Sequence, residues 1–216
     1  MTGADPHLSA QNPPPEAAAV FGVNVELARR YAVMLCGDGV VRGLIGPREP
    51  ARIWSRHLLN GAALASWIGE GEQVIDVGSG AGLPGIPLLL ARPDLKMTLL
   101  EPMARRAAFC EEVKAALGLE LTVLRARAQE APRGTADVVT ARAVAPLDRL
   151  VAMTFPLLRP GGRLLALKGE QAQDEVRAAQ DALARAGAQA SAVHALGAGE
   201  DRTYVVTATA PMKALR

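Results

Sequence analysis

The sequence has few cysteines and few aromatic residues. It contains two cysteines among 216 residues, and phenylalanine, tyrosine and tryptophan together make up 3% of the chain. Two cysteines far apart in helical contexts exclude a disulfide scaffold and a cysteine-rich zinc site, so we expect Cys36 and Cys110 to be small buried hydrophobic residues. The scarcity of aromatic rings argues against a platform of stacked nucleic-acid bases, so any binding of nucleic acid has to rest on arginine and lysine.

Long apolar segments and a targeting segment are also missing. The longest apolar run, residues 86–91, is too short to cross a bilayer. The first residues have neither the basic nor the apolar segment that directs export, so we expect a cytoplasmic protein with no membrane partner. Three consecutive prolines, residues 13–15, stand in a small and polar N-terminus, which predicts a disordered tail over residues 1–19.

The residue patterns of metal sites and of covalent catalysis are not found in the sequence. No pair of histidines has ligand spacing, no serine occupies a nucleophile-elbow context, and neither cysteine has a base positioned beside it. We therefore expect no metal ion and no covalent intermediate.

The residue pattern of the sequence changes near residue 69. Residues 20–68 hold no convincing strand and consist of helical stretches interrupted by glycine and proline, which predicts a small N-terminal helical cap. Residues 69–216 alternate short apolar runs with helical stretches rich in alanine, arginine and glutamate, the pattern of a doubly wound parallel sheet. We expect cap and sheet to form one folded unit.

The predicted elements give a specific α/β architecture. Strands are predicted at 73–77, 96–101, 121–125, 136–141 and 163–168, with a closing hairpin of 189–196 and 204–209. Helices are predicted from just after residue 82 to 91, and at 103–117, 148–158 and 171–186. A mostly parallel seven-stranded sheet that ends in an antiparallel hairpin is the arrangement of the Rossmann-like, class I S-adenosylmethionine-dependent methyltransferases.

The most informative segment runs from the first predicted strand into three glycines. Gly78, Gly80 and Gly82 stand at alternate positions between an apolar strand and a helix. A ligand can lie there against bare backbone, where the amides of the helix N-terminus favour an anionic group. Such a loop binds either a dinucleotide or S-adenosylmethionine, and Gly80, Gly82 and Gly85 also satisfy the weak dinucleotide pattern G-x-G-x-x-G.

Two acidic residues bear on this choice. Asp76, two residues before the first glycine, suits the ammonium or sulfonium of S-adenosylmethionine and would repel a pyrophosphate. Glu101, at the end of the second strand, can accept hydrogen bonds from both ribose hydroxyls, which either ligand class offers. We therefore predict S-adenosylmethionine as the cofactor, with S-adenosylhomocysteine as its product.

Positive charge is concentrated in one part of the chain. Residues 125–168 carry eight lysines or arginines against three acids, although the whole chain has a net charge of only +2. Arg127, Arg142 and Lys168 are expected at the carboxyl ends of strands, where open α/β sheets bind ligands. The other arginines of this stretch predict a phosphate track: Arg125, Arg133, Arg149, Arg159 and Arg163. His57 lies in a helical run and is expected to be a core or capping histidine.

These residues resemble a known family. The stretch D-V-G-S-G-A-G-L-P-G-I-P-L at residues 76–88 is similar to the glycine loop of the RsmG (formerly GidB) family, bacterial methyltransferases of 16S ribosomal RNA. The L-P-G-I-P continuation is much more specific than the glycines alone. Further similar segments follow the order R-H-L-L-N at 56–60, R-R-A-A-F at 105–109, R-A-R-A-Q-E at 125–130, T-A-R-A-V-A at 140–145 and L-A-L-K-G-E at 165–170. The resemblance spans about residues 42–168.

The resemblance implies methylation of N7 of a guanine in the decoding-region loop of 16S ribosomal RNA, with the RNA or a small ribosomal subunit particle as partner. It implies cofactor contacts at Gly78, Leu83, Ala128, Gln129 and Arg142, beside the loop residues Asp76, Ser79, Gly80, Gly82 and Glu101 named from the sequence. It also implies that Arg127, Arg142 and Lys168 face the RNA or the methyl-transfer centre. The sequence departs from the family pattern at Asn60, Gln129 and residues 43–46.

Three functions remain open from the sequence. The first is an S-adenosylmethionine-dependent ribosomal RNA methyltransferase, the second a small-molecule methyltransferase of the same fold, and the third a non-enzymatic dinucleotide-binding regulator. The basic excess favours RNA over a small molecule, and Asp76 with the closing hairpin favours the methyl donor over a dinucleotide. Because guanine N7 carries an unprotonated lone pair, we assign no general base, and we expect a monomer.

Overall fold

The computed structural model describes residues 10–197 and 201–212, in which one seven-stranded sheet separates two helical layers. The strands are β1 Gln73–Val77, β2 Lys96–Leu100, β3 Leu121–Leu124, β4 Ala136–Arg142, β5 Leu158–Lys168, β6 Ala190–Leu196 and β7 Thr203–Thr209. Their order in the sheet is β3-β2-β1-β4-β5-β7-β6. Strands β1 to β5 are mutually parallel, and β7 runs antiparallel to both β5 and β6. The predicted fold class is confirmed.

The α-helices surround this sheet. They are α1 Pro15–Phe21, α2 Val25–Met34, α3 Asn60–Ala62, α4 Gly85–Ala91, α5 Ala104–Leu117, α6 Leu147–Thr154, α7 Ala172–Ala178 and α8 Gln180–Arg185. Short 3₁₀ segments occupy Gly22–Asn24, Glu49–Arg52, Ala63–Trp67, Ala128–Glu130 and Phe155–Leu157, and π-helical turns occupy Leu35–Gly39 and Ile53–Leu59. Within the two described ranges, no helix has the length and apolar character needed to cross a membrane.

The N-terminal segment differs from its prediction. Residues 15–19 belong to α1 and are not a disordered tail, while residues 1–9 of that predicted tail lie outside the described residues. Pro15 starts the helix, where the missing N–H of proline costs nothing, and the alanines that follow have high helix propensity. Ala17 and Phe21 are buried, and the Phe21 ring packs edge-on against Trp54. Tertiary packing therefore fixes a segment whose composition alone indicates disorder.

Two element boundaries also differ from the prediction. Strand β5 starts at Leu158, although a helix was predicted up to residue 158 and a strand only from residue 163. Leu158 pairs with Ala136 and Arg163 pairs with Val138, so residues 159–162 form an irregularity inside the strand. The predicted helix 171–186 is divided into α7 and α8 at Ala179, where φ is −91° and ψ is 5°.

The hydrophobic core lies on both faces of the sheet. Alternation along β1 places Val74 in one cluster and Ile75 in the other, and along β4 it separates Val138 from Val139 in the same way. The cap, α4 and α5 cover the first face, and α6, α7 and α8 cover the second. Cap and sheet therefore share a core. Both cysteines are buried and unpaired, as predicted.

Candidate active site

The glycine loop lies between β1 and α4 at the carboxyl edge of the parallel strands. The amides of Gly78 and Ser79 both donate to the Leu100 carbonyl at the end of β2, which turns the chain away from the sheet. Gly78 has φ +67° and Gly80 has φ +60°, conformations that favour glycine. A Cβ atom at Gly80 would meet no heavy atom closer than 3.9 Å, so this position opens onto free space.

The other glycines of the segment serve packing. A Cβ atom at Gly82 would lie 2.3 Å from Ile86 Cδ1, and one at Gly85 would lie 2.5 Å from Leu99 Cδ2. A Cβ at Gly78 would lie 2.7 Å from Val144 Cγ2, so the loop after β4 closes over this glycine. Within the G-x-G-x-x-G pattern, Gly82 and Gly85 are therefore required by close packing. Gly80 is the position at which a ligand can approach the backbone.

Glu101 lies beside this opening, as predicted. It is buried, and its Oε2 accepts a hydrogen bond of 2.9 Å from the Gly80 amide while Oε1 accepts one of 2.8 Å from the Met103 amide. Each carboxylate oxygen has two lone pairs, so both retain acceptor capacity for hydroxyl groups. The glycine loop and this carboxylate are therefore joined at the carboxyl edge of the sheet by the hydrogen bond between Gly80 and Glu101.

Asp76 has a different place from the one predicted. It is fully buried, its Oδ1 accepts from the Thr140 hydroxyl at 2.8 Å, and its Oδ2 accepts from the Gly85 amide at 3.1 Å. Burial raises the pKa of Asp76 to about 6, although these hydrogen bonds act in the opposite direction. Asp76 therefore supports the loop from inside the protein through its contacts with β4 and with the start of α4.

Two buried side chains hold the glycine loop by hydrogen bonds that the sequence analysis did not predict. The Tyr31 hydroxyl of the cap donates to the Ala81 carbonyl at 2.7 Å, and the Cys110 thiol of α5 donates to the Gly80 carbonyl at 3.5 Å. Burial raises the pKa of Tyr31 well above its usual value and that of Cys110 to about 12, so both remain protonated donors. A tyrosine fifty residues upstream carries no local signal for this contact.

The remaining predicted cofactor residues divide by exposure. Ser79 is buried and its hydroxyl donates to the Asp76 carbonyl, while Leu83 is buried beneath the loop. The segment Ala128–Glu130 follows β3 at the same edge of the sheet, with Ala128 buried and Gln129 exposed.

Arg142 is the last residue of β4 and faces the cap. Alternation along the strand places it on the same face as Val138 and Thr140. Its Nη1 lies 2.5 Å from Nδ1 of His57, and Nε2 of His57 lies 2.5 Å from Oε2 of Glu49. His57 is a buried histidine, as predicted, but it also connects a carboxylate of the cap to an arginine of the sheet.

Lys168 ends β5 and lies on the opposite face of the sheet from Arg142. It is buried, and its Nζ donates to the Ala145 carbonyl and to Oε2 of Glu175, both at 2.7 Å. The same Glu175 oxygen accepts from the Leu147 amide at the start of α6. The ammonium group is therefore held in one place by the loop after β4 and by α7.

A cavity of about 1080 Å³ brings these groups together at the carboxyl edge. Arg142 and Lys168 both line it, as do Glu49, His57 and Asn60 from the cap. Asn60 is 8% exposed and makes long contacts of 3.5 Å and 3.4 Å to the carbonyls of Arg56 and Asp201. This cavity is on the side of β4 and β5, next to the open glycine loop at β1.

Arg127 is not among the residues that line this cavity. It follows β3 at the same edge of the sheet and is exposed, and its backbone amide donates to Glu130. The structure therefore brings two of the three predicted positioning residues together and leaves Arg127 outside the group.

The predicted phosphate track is wrong as a continuous surface. Arg159 pairs with Asp137 and Arg163 pairs with Glu72, both at the amino edge of the sheet and away from Arg142. A second cavity, of about 710 Å³, extends along α6 to that amino edge, and we call it the amino-edge cavity; it is lined by Arg133, Arg149, Arg159 and Arg185 above an apolar floor. Arg125 follows β3 at the carboxyl edge, so the arginines of residues 125–168 are divided between two ends of the molecule.

Solved structures share this fold. A SAM-dependent methyltransferase from Aquifex aeolicus matches with a TM-score of 0.59 at 18% identity, over 80% of this chain and 97% of that one. The structure of M. jannaschii TYW2 in complex with AdoMet matches with a TM-score of 0.57 at 17% identity, over 73% and 76% of the two chains. At such identities the likeness establishes the fold.

Comparison of sequences establishes the family. A protein of Mycobacterium sp. (strain KMS) named ribosomal RNA small subunit methyltransferase G is 56% identical over 180 residues, which are 82% of this chain and 80% of that protein. A protein of the same name from Streptomyces coelicolor is 54% identical over 189 residues, 86% and 79% of the two chains. The sequence profile described as rRNA small subunit methyltransferase G matches residues 24–205. The predicted resemblance is confirmed, and the chain belongs to the GidB family.

Proposed function

We propose that this protein transfers a methyl group from S-adenosylmethionine to N7 of a guanine in the decoding-region loop of 16S ribosomal RNA. The observation that carries the proposal is an open glycine loop beside Glu101, adjacent to a cavity with two held cationic side chains, in a chain of the GidB family. This combination provides a place for a nucleoside cofactor and a second place for an anionic substrate along one edge of the sheet.

The residues fit the cofactor by shape and by charge. Gly80 leaves the backbone open to an adenosyl group, and both Glu101 oxygens keep lone pairs for the two ribose hydroxyls. When bound, S-adenosylmethionine supplies an electrophilic methyl group on a sulfonium. The family and the structural neighbours support this cofactor over a dinucleotide, and tight binding of NADH in place of S-adenosylmethionine would contradict it.

The acceptor determines what the protein has to do. Guanine N7 has a lone pair at neutral pH, so no proton has to be removed before attack. The tasks of the site are alignment and exclusion of water. His57 fits this picture because both its ring nitrogens are already engaged and its pKa is lowered by burial to about 4. We expect the single-turnover rate to vary little between about pH 7 and 9, and a rise with a histidine-like pKa would show that a base takes part.

The cations of the cavity position the substrate. Arg142 and Lys168 contact a phosphate or the O6 edge of the guanine. They do not contact N7, because a cation placed there would oppose the transfer of positive charge to the purine. Ribosomal RNA, alone or in a small-subunit particle, is the macromolecular partner, and the cytoplasm is the compartment in which the enzyme acts.

The proposal is tested by mapping one modified nucleotide. Cells that lack this protein should lose a single N7-methylguanosine from 16S RNA, measured by chemical cleavage at that base or by mass spectrometry of RNA fragments. Expression of the wild-type chain should restore it, and expression of Glu101→Ala at equal abundance should not. An unchanged methylation pattern in the deleted strain would refute the assignment to 16S RNA.

A further inference from the structure

His57 is placed between two charged groups at the junction of cap and sheet. It is 5% exposed, and it lies within hydrogen-bond distance of Glu49 through one ring nitrogen and of Arg142 through the other. Glu49 belongs to the 3₁₀ segment Glu49–Arg52, and Arg142 ends β4. The three side chains therefore connect the helical cap to the strand that carries the cavity.

The identity of the partners fixes the position of the proton on the ring. A guanidinium group has only donors, so the Nδ1 atom that faces Arg142 has to be the acceptor. A carboxylate has only acceptors, so the Nε2 atom that faces Glu49 has to carry the hydrogen. The arrangement requires a neutral imidazole in the Nε2–H form.

The charges around His57 favour the same form. Burial and the charge of Arg142 lower the pKa of His57 to about 4, with Arg56 acting in the same direction and Glu49 in the opposite one. Arg56 contacts the same Glu49 oxygen at 3.7 Å. At neutral pH the imidazole therefore remains an acceptor for Arg142.

We propose that Glu49 and His57 form a positioning relay that fixes the orientation of the Arg142 guanidinium toward the cavity. In the proposed function, on which this inference rests, Glu49 and His57 are positioning residues that act through Arg142 and do not touch the reacting atoms. The cap thereby contributes to the site by aiming a side chain of the sheet.

The orientation of Arg142 matters because, in the proposed function, this residue positions the substrate. The guanidinium group has five N–H donors, and His57 is the one side chain among the described residues with which it shares a hydrogen bond. A held guanidinium presents its remaining donors in a fixed planar fork, and it need not reorganise when the substrate binds. A guanidinium group in another orientation would carry the same charge and attract the substrate, but it would not align it.

Paired substitutions at His57 separate the two halves of the relay. His57→Asn places an amide near the former Nδ1 atom and keeps an acceptor for Arg142, whereas His57→Gln reaches toward Glu49 and removes that acceptor. We expect His57→Gln to lower the single-turnover methylation rate by about 10- to 100-fold and His57→Asn to restore a substantial part of it. The matched control is His194→Gln, at an exposed histidine of β6, which should leave the rate unchanged. Equal losses in both His57 variants would contradict the relay.

A double-substitution cycle tests whether His57 acts through Arg142. If it does, His57→Gln combined with Arg142→Ala should be no slower than Arg142→Ala alone. Fully additive losses would show that His57 contributes independently and would overturn the proposal. Circular dichroism and the midpoint of thermal unfolding establish that each variant is folded before its rate is compared.

The tautomer can be observed in the wild-type protein without any assay of activity. The chain has three histidines, so nitrogen-15 NMR of labelled histidine resolves the ring of His57 by comparison with a His57 variant. We expect a neutral Nε2–H ring at pH 7 that is not protonated above about pH 5, and a mixture of tautomers in Glu49→Ala. An imidazolium or an Nδ1–H ring at pH 7 would refute the relay. If the wild type fails to methylate 16S RNA while this signature holds, the proposed function fails and the relay remains.

Discussion

The two ends of the sheet both carry a cavity rimmed by arginine, but they hold their charges in different ways. At the carboxyl edge Arg142 and Lys168 are partly or fully buried and bonded to His57 and Glu175. In the amino-edge cavity Arg133, Arg149 and Arg185 are exposed, and Arg159 pairs with Asp137 while remaining 54% exposed.

This difference is the reason that we assign the substrate site to the carboxyl edge and not to the amino-edge cavity. Holding a desolvated cation costs free energy, and a protein retains such an arrangement where a fixed direction of charge is useful. Exposed arginines above an apolar floor cost little and are screened by salt. Both cavities are lined by arginine, so their composition is similar. They differ in whether those charged side chains are buried and hydrogen-bonded or exposed to solvent.

The strongest test of the comparison concerns buried charge and stability. The folded pKa of Asp76 is raised to about 6, above the value near 3.9 for an unfolded chain, so folding favours the protonated acid. The free energy of unfolding of the wild type should therefore fall as pH rises from about 4 to about 6, by about 3 kcal/mol. Asp76→Asn should lack this dependence in urea unfolding measured across that range.

Asp94, at the amino edge, provides the opposite case. The hydrogen bond from Arg92 holds its pKa below the usual range, so its contribution to stability is present above about pH 4 and is lost at lower pH. Asp94→Asn should therefore be destabilised relative to the wild type at neutral pH but not in strong acid. If the stability difference from the wild type changed with pH in the same way for Asp76→Asn and Asp94→Asn, the two ends of the sheet would not differ in how they hold charge.

The second test compares arginines of the two cavities. Arg142→Ala should lower the single-turnover methylation rate by about 100-fold at every pH, because substrate alignment is lost. Arg149→Ala, which removes an exposed arginine of the amino-edge cavity, should change the rate by less than about twofold. Quench-flow measurement with saturating RNA and cofactor gives both rates. A large loss in Arg149→Ala would place function at the amino edge.

The third test compares two glutamates that each accept a backbone N–H group. Glu101 accepts from Gly80 at the carboxyl edge, and Glu72 accepts from Gly69 and pairs with Arg163 at the amino edge. Glu101→Ala should weaken S-adenosylmethionine binding by about 1–3 kcal/mol, because two hydrogen bonds to the ribose are lost. Glu72→Ala should leave the dissociation constant measured by calorimetry unchanged. Equal affinities in both variants would remove Glu101 from the cofactor site.

The smallest expected effect concerns salt. If Arg127 contacts an RNA phosphate, Arg127→Glu should reduce the slope of log affinity against log salt by about 0.7. The double variant Arg133→Glu and Arg149→Glu at the amino edge should leave that slope unchanged. A flatter slope in the double variant would restore the continuous phosphate track that the structure divides.

Sequence reasoning succeeded where the physics is local. A short apolar run placed β1 at Gln73–Val77 without error, and the three alternating glycines located the loop that follows it. It was less successful where a residue's surroundings come from distant segments. The proline-rich N-terminus indicated a tail over residues 1–19, yet residues 15–19 belong to α1, which buries Ala17 and packs Phe21 against Trp54. Asp76 was predicted to contact the ligand, and only the structure shows that its carboxylate is fully buried and hydrogen-bonded to Thr140 and Gly85.

The amino-acid sequence by itself determined the order of strands and helices, the position of the glycine loop and the family. Tertiary structure alone decided which charges converge. Arg142 is far in the chain from Glu49 and His57, and it meets them because the cap packs on the face of β4 to which Arg142 points. Arg159 and Arg163 lie close to Arg142 in sequence but at the other end of the sheet, because a parallel crossover returns the chain to the amino edge before β5 begins.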